Sequence, residues 1–135
     1  MAVTPNSLIT PQTPISGKAK LTTANTNYDA PTAAVQVLVG QPNGARLTRV
    51  QATPAATTVA SDCQLYGYDG TSYRHIKSVA IAAQTVSAGN ISAITPYDFG
   101  FSDSNPLILG ANEQLMAAVS VTQTSVHVRA EGAAY

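Results

Sequence analysis

The stretch LYGYDGTSYRHI, residues 65–76, decides the fold class. It holds two runs rich in tyrosine and other residues that favour β-strands, separated by Asp69, Gly70, Thr71 and Ser72. Glycine reaches positive φ without steric cost, and aspartate bonds to the backbone just after it, so Asp-Gly between two such runs is typical of a hairpin turn. We therefore predict a β-hairpin with its turn at residues 69–72.

Similar runs on both sides of this hairpin predict further short strands. In SVHVRAEG, residues 125–132, Val126, Val128 and Ala130 alternate with polar residues, as they do in a strand with one buried face. The other candidate runs recur every 8–12 residues or so, with turn-forming residues between them. They span residues 18–24, 34–39, 45–52, 59–68, 73–81, 85–94 (two short runs), 97–101, 106–109 and 113–121.

Some eight to ten strands at this spacing predict an all-β protein, either a β-sandwich or a barrel. Of the two we predict an antiparallel β-sandwich, of the jelly-roll type that the resemblance described below implies. In the run 45–52, Leu47 and Val50 are out of step with an alternating pattern, which predicts either a β-bulge or a strand with apolar surroundings on both faces. The alternating positions of three other runs are expected to supply the core: Val35, Val37, Leu115, Val119, Val126 and Val128.

The composition favours contact with protein over contact with nucleic acid. Charged residues make up 10% of the 135 residues, against ~25% in an average soluble domain. Seven basic and seven acidic side chains cancel, and the basic ones are scattered along the sequence, whereas binding nucleic acid needs clustered cations. No apolar stretch approaches the ~20 residues of a membrane-spanning helix, and the N-terminus lacks the pattern of a secretory signal. We expect neither a nucleic-acid partner nor a membrane partner.

Residues 1–18 differ from the single β-domain predicted for residues 19–135. Three prolines disfavour helix and ladder pairing in this segment, while three aliphatic side chains between them could anchor it to a surface. The prolines are Pro5, Pro11 and Pro14, and the aliphatic residues are Leu8, Ile9 and Ile15. The segment is expected to be an extended arm that docks on another protein; a disordered leader is the alternative.

The sequence carries no catalytic or metal-binding motif, so we expect no enzymatic activity, no metal and no cofactor. His75 and His127 fall on outward strand positions and are interpreted as surface residues. The single cysteine, Cys63, cannot form an internal disulfide and is interpreted as a small buried hydrophobic residue.

Three tyrosines around the predicted turn leave several interpretations open. Tyr66 and Tyr68 lie two residues apart, hence on one face, and Tyr73 lies across the turn. Such a cross-strand cluster commonly stabilises its own hairpin. It would also suit a protein-contact surface, because tyrosine combines a large apolar area with a polar tip. A sugar-stacking platform is less favoured, because such platforms usually contain tryptophan and this chain has none.

Four blocks of the sequence resemble the head cement, or decoration, proteins of tailed phages, of the kind found on the Bordetella phage head. The blocks are NTNYDAPT (25–32), NGARLTRVQATPAATTVASDCQLYGYDGTSYRHI (43–76), NPLILGANEQLMAAVSV (105–121) and VRAEGAAY (128–135). The resemblance implies a jelly-roll-like sandwich that is assembled in the host cytoplasm, associates with itself as a dimer or trimer on a symmetry axis, and strengthens contacts between major capsid protein subunits on the capsid exterior. The competing interpretation is a receptor- or carbohydrate-binding β-sandwich module of a phage fibre or tail.

Overall fold

The structure, a computed structural model, describes residues 10–87, 89 and 94–135. This part of the chain contains nine β-strands and no helix. The strands are β1 (Thr13–Leu21), β2 (Val35–Leu38), β3 (Ala45–Pro54), β4 (Ser61–Tyr68), β5 (Tyr73–Ile81), β6 (Tyr97–Asp98), β7 (Leu107–Leu109), β8 (Gln114–Val119) and β9 (Val126–Ala134). The prediction of an all-β protein is confirmed.

The strands form two antiparallel sheets that pack against each other as a β-sandwich, as predicted. One sheet has the order β1-β9-β3-β6, with β7 also paired to β3, and the other has the order β2-β8-β4-β5. The core lies between the sheets, where alternate side chains of each strand point inward. A second, smaller buried cluster, formed by Tyr66, Met116 and Ala118, lies on the outer face of the four-stranded sheet.

The bulge predicted from residues 45–52 is present. The pairing of β3 with β9 shifts register between Leu47 and Arg49, so Thr48 is the extra residue. Because of this insertion, Leu47 and Val50 both face inward, and both are fully buried.

Five of the six predicted core residues are buried: Val37, Leu115, Val119, Val126 and Val128. The prediction is wrong for Val35, which is 38% exposed. Val35 is the first residue of β2, an edge strand, where little of the other sheet covers it. A register shift between Gln36 and Leu38 also breaks the alternation, so that Val37 and Leu38 are both buried and Val39 is 62% exposed.

The sheet begins earlier than the sequence suggested. Strand β1 starts at Thr13, so residues 13–18 of the predicted arm pair with β9, and the predicted boundary between residues 18 and 19 falls inside a strand. Pro14 is found in a strand because β1 lies at the edge of its sheet, and edge strands are where β-sheets tolerate proline. Ile15 pairs with Gly132 and packs, partly buried, against the core. The remaining predicted anchors, Leu8 and Ile9, lie outside the described residues.

The two short strands predicted within residues 85–94 are only partly covered by the structure. Residues 85–87 are not in a strand, and residues 88 and 90–93 lie outside the described part. The preceding residue, Gln84, forms an isolated bridge with Thr58.

Candidate protein-contact surface

The turn at residues 69–72 is built by its own residues, as predicted. Tyr68 and Tyr73 are the last pair of the β4–β5 ladder. The backbone amides of Thr71 and Ser72 each donate a hydrogen bond of 2.8 Å to Asp69 Oδ1. These two hydrogen bonds lower the pKa of Asp69 because they stabilise its carboxylate, and the bond from the Ser72 amide has the larger effect. Gly70 has a φ of 95°, so Asp69 and Gly70 both have a structural role.

An aromatic cluster extends from this turn along the outer face of the four-stranded sheet. The rings of Tyr68 and Tyr73 are stacked, with centroids 4.3 Å apart. Tyr66 meets Tyr73 edge-to-face at 6.2 Å and His75 edge-to-face at 5.5 Å. The three predicted tyrosines therefore form one cross-strand cluster, and each aromatic contact adds to the stability of the hairpin.

Within this cluster Tyr66 is fully buried, beneath the loop that joins β1 to β2. Its hydroxyl donates a hydrogen bond of 2.8 Å to Gln64 Oε1 and accepts one of 3.2 Å from Nδ2 of Asn25, a buried residue of that loop. Burial raises the pKa of Tyr66, an effect that the bond from Asn25 opposes. Tyr66 offers no surface to a partner, so of these three tyrosines a partner can touch only Tyr68 and Tyr73, which are both half-buried.

The part of Asn25 is not apparent from the sequence. Asn25 lies in the block NTNYDAPT, whose composition predicts only a loop. In the structure, Nδ2 of Asn25 also donates a hydrogen bond of 3.0 Å to Gln64 Oε1, and the Asn25 backbone amide donates one of 2.7 Å to Val119 O. The only local sign is Gln64, a polar residue in a strand whose neighbours Cys63 and Leu65 are apolar. A buried glutamine needs polar partners, and the loop supplies one.

At one side of the sandwich the two sheets expose neighbouring edges. Strand β1 pairs with β9 and β2 pairs with β8, and in the described residues neither has a second partner strand. The strands meet where Gly17 lies against the carbonyl group of Val37, an approach so close that no Cβ would fit. A cleft of about 590 Å³ runs between them, lined in part by Pro14, Ile15 and Val39. We refer to β1, β2 and this cleft as the open edge.

Comparison with known proteins assigns no family to this chain. No family model matches it, and no curated protein is significantly similar to it.

The described residues contain no group of three or more His, Cys, Asp or Glu side chains placed to hold a metal ion. Cys63 is fully buried, as predicted, and burial raises the pKa of its thiol to about 12. His75 and His127 are exposed, in agreement with their interpretation as surface residues. No helix in the described part of the chain is long and apolar enough to cross a membrane.

Proposed function

We propose that this chain is a structural virion protein, a cement or decoration protein that binds the outer surface of a phage capsid and strengthens contacts between major capsid protein subunits. The four sequence blocks that resemble such proteins suggest this role. The structural observation that carries the proposal is the open edge, where two strand edges and apolar side chains stand together on the surface. Such an edge is suited to contact with other protein.

We further propose that the sandwich is a jelly roll, and the pairing pattern supports this assignment. The first strand pairs with the last (β1 with β9), the second with the last but one (β2 with β8), the third with β6 and β7, and β4 with β5. This is the pattern of one long hairpin rolled into two sheets. It is also a fold used by viral capsid domains.

The open edge is the part of the surface that we assign to self-association, as a dimer or trimer on a capsid symmetry axis. Val39 is 62% exposed there and Ile15 is half-buried, so a neighbouring copy would cover apolar surface. Lys18 and Lys20 lie on the same strand and oppose uncontrolled edge-to-edge pairing. The contact we propose is therefore made by side chains in the cleft, with defined geometry.

Residues 1–12, which precede β1, would supply a second attachment to the shell. Two linked contacts hold a protein far more tightly than either does alone. Leu8 and Ile9 would be the anchors, each contributing roughly 1.5–3 kcal/mol if fully buried. This attachment would resist separation of capsid subunits, which is what a cement protein must do.

A carbohydrate-binding module is the second candidate, and the half-exposed pair of Tyr68 and Tyr73 is the observation in its favour. However, these rings stack on each other at 4.3 Å, so each has one face already occupied. A sugar-stacking platform needs free ring faces. The pair therefore supports the hairpin more directly than it supports a glycan site.

The proposed function is tested on heads assembled without this chain. Such heads should release their DNA at a lower temperature than complete heads, and purified protein added back should restore the difference. Heads that release DNA at the same temperature with and without the chain would contradict the proposal. A glycan array probed with the purified protein tests the second candidate.

A further inference from the structure

The basic residues that are scattered in the sequence are gathered on one surface by the strand register. On the outer face of the five-stranded sheet, Lys18 of β1 pairs with Arg129 of β9, and Arg129 pairs with Gln51 of β3. In the next row Lys20 pairs with His127. Neighbouring strands are ~4.8 Å apart, so these side chains stand within about one Debye length of each other at physiological salt.

Two more arginines belong to the same face. Arg49 pairs with Glu131 of β9, and Arg46 pairs with Ala133. We call this surface the basic face, defined by Lys18, Lys20, Arg46, Arg49 and Arg129.

The charges of the chain are thus divided between two sides, although the chain has no net charge. The basic face holds five of the seven basic residues, together with Asp98, Asp103 and Glu131. The strands and loops of the other sheet hold the remaining two basic residues, Arg74 and Lys77, and the remaining acidic ones: Asp29, Asp62, Asp69 and Glu113.

Within the described residues, ion pairing leaves most of this positive charge free. Arg129 Nε lies 2.7 Å from Glu131 Oε1, and an Arg46 guanidinium nitrogen lies 3.7 Å from Asp103 Oδ1. These are the two ion pairs in that part of the chain, and Lys18, Lys20 and Arg49 have no described carboxylate within 4.0 Å. Lys18 and Arg129 moreover stand directly opposite each other, an arrangement of like charges that destabilises a sheet.

We propose that the basic face is the docking face for the capsid, and that it binds an acidic area on the outer surface of the protein shell. This inference rests on the proposed function and adds the surface used and the charge of its partner. Lys18, Lys20 and Arg49, which have no described carboxylate within 4.0 Å, would be stabilised by opposite charges placed over them. A complementary acidic surface would also speed association and fix its orientation.

A protein surface fits this face better than nucleic acid does. Glu131 lies between Arg129 and Arg49, and Asp98 lies at the end of the row that contains Lys18. A phosphate backbone, which is uniformly negative, would be repelled at both carboxylates, whereas a protein partner can offer a positive group there. The mixed pattern therefore favours a folded protein with its own arrangement of charges.

The experiment measures co-sedimentation of the full chain with purified heads that lack it, at about 50 mM and about 300 mM NaCl. Three proteins are compared: the wild type, the double variant Lys18→Glu/Lys20→Glu, and the control variant Arg74→Glu/Lys77→Glu. Both variants change the net charge equally, but the control residues lie on β5 of the other sheet. Urea unfolding of each protein verifies that it is folded, and analytical ultracentrifugation verifies that its self-association matches that of the wild type, because β1 also belongs to the open edge. Lys18→Thr/Lys20→Thr replaces the first variant if the reversal prevents folding.

The inference predicts that Lys18→Glu/Lys20→Glu weakens binding on the order of tenfold or more at the lower salt concentration, while the control stays within about threefold of the wild type. The difference should shrink at the higher salt concentration, where charges are screened. If the two double variants bind equally well, the inference is wrong and the proposed function stands. If the wild type does not bind heads at all, the proposed function fails as well. Binding to a short DNA duplex as tight as binding to heads would overturn the choice of a protein partner.

Discussion

Lys18 and Arg129 stand directly opposite each other on neighbouring strands of the five-stranded sheet, with both side chains exposed to solvent. Directly opposed residues have Cβ atoms about 4.5–5.5 Å apart, so the two positive charges repel each other. Arg129 partly relieves this by bonding to Glu131, but Lys18 has no described carboxylate within 4.0 Å. The proposed docking of the basic face on an acidic partner surface would account for this pair.

The substitution Lys18→Thr should leave the free energy of unfolding unchanged or raise it by a few tenths of a kcal/mol, because it removes this repulsion and introduces a good strand residue. Urea denaturation of the purified protein measures the change. Ser16→Thr, on the same face of the same strand, controls for the effect of threonine on β1. A loss of more than about 1 kcal/mol in Lys18→Thr alone would mean that this lysine is needed for the fold.

The substitution Gly70→Ala should cost about 1 kcal/mol of stability. Nothing lies within 4 Å of where the new Cβ would be, so the cost comes from the φ of 95° and not from a clash. Gly70→Asn is the matched variant and should lose less, because asparagine adopts positive φ more readily than alanine does. An unchanged melting temperature in Gly70→Ala, combined with lost partner binding, would show that the loop is a binding site and not simply a turn.

Local signals made the hairpin and the bulge predictable from the sequence. The Asp-Gly pair specifies its own turn through residues 69–72, and the mismatch of Leu47 and Val50 is visible within one strand. The start of β1 was harder to place because Pro14 argues against a strand unless that strand is known to be at an edge. Edge position is a property of the whole sheet, so the sequence alone does not reveal it.

The covered face of the four-stranded sheet and the basic face could not be predicted, because both depend on residues distant in sequence. Asn25 reaches Gln64 and Tyr66 only because the loop after β1 folds over that sheet. Lys18 meets Arg129 only because the first and last strands pair. The sequence therefore shows how many basic residues there are, but their scattered positions do not indicate that the fold gathers them on one surface.

The thiol of Cys63 should react slowly in the folded protein. With its pKa raised from 9.0 to about 12, the thiolate fraction near neutral pH falls roughly a thousandfold, and burial adds steric protection. Because the folded protein holds this proton more tightly than the unfolded chain does, the free energy of unfolding keeps its full value below pH 9 and falls as the pH rises from 9 through 12. Labelling with iodoacetamide, with and without urea, measures the effect. A native rate within tenfold of the unfolded rate would contradict the buried position.

Deleting residues 2–9 should leave the sandwich intact and weaken its retention on heads under heat. The deletion stops short of Gln12, whose backbone amide donates a hydrogen bond of 2.8 Å to Ala134 O, and of β1 itself. A deletion reaching residue 16 would remove four residues of β1, so a loss of binding could then result from a loss of folding. The double variant Leu8→Ser/Ile9→Ser should have the same effect if these side chains are the anchors. Equal retention of the truncated and full-length proteins would show that the segment is a loose leader.

The proposed role is tested most directly by cryo-electron microscopy of heads assembled with and without this chain. The account predicts extra density on the outside of the shell, shaped as a β-sandwich, repeated around a symmetry axis, and in contact with at least two major capsid protein subunits. The basic face should point toward the shell, and the open edge toward a neighbouring copy. Identical maps from the two preparations, or density confined to a tail or fibre, would contradict the account.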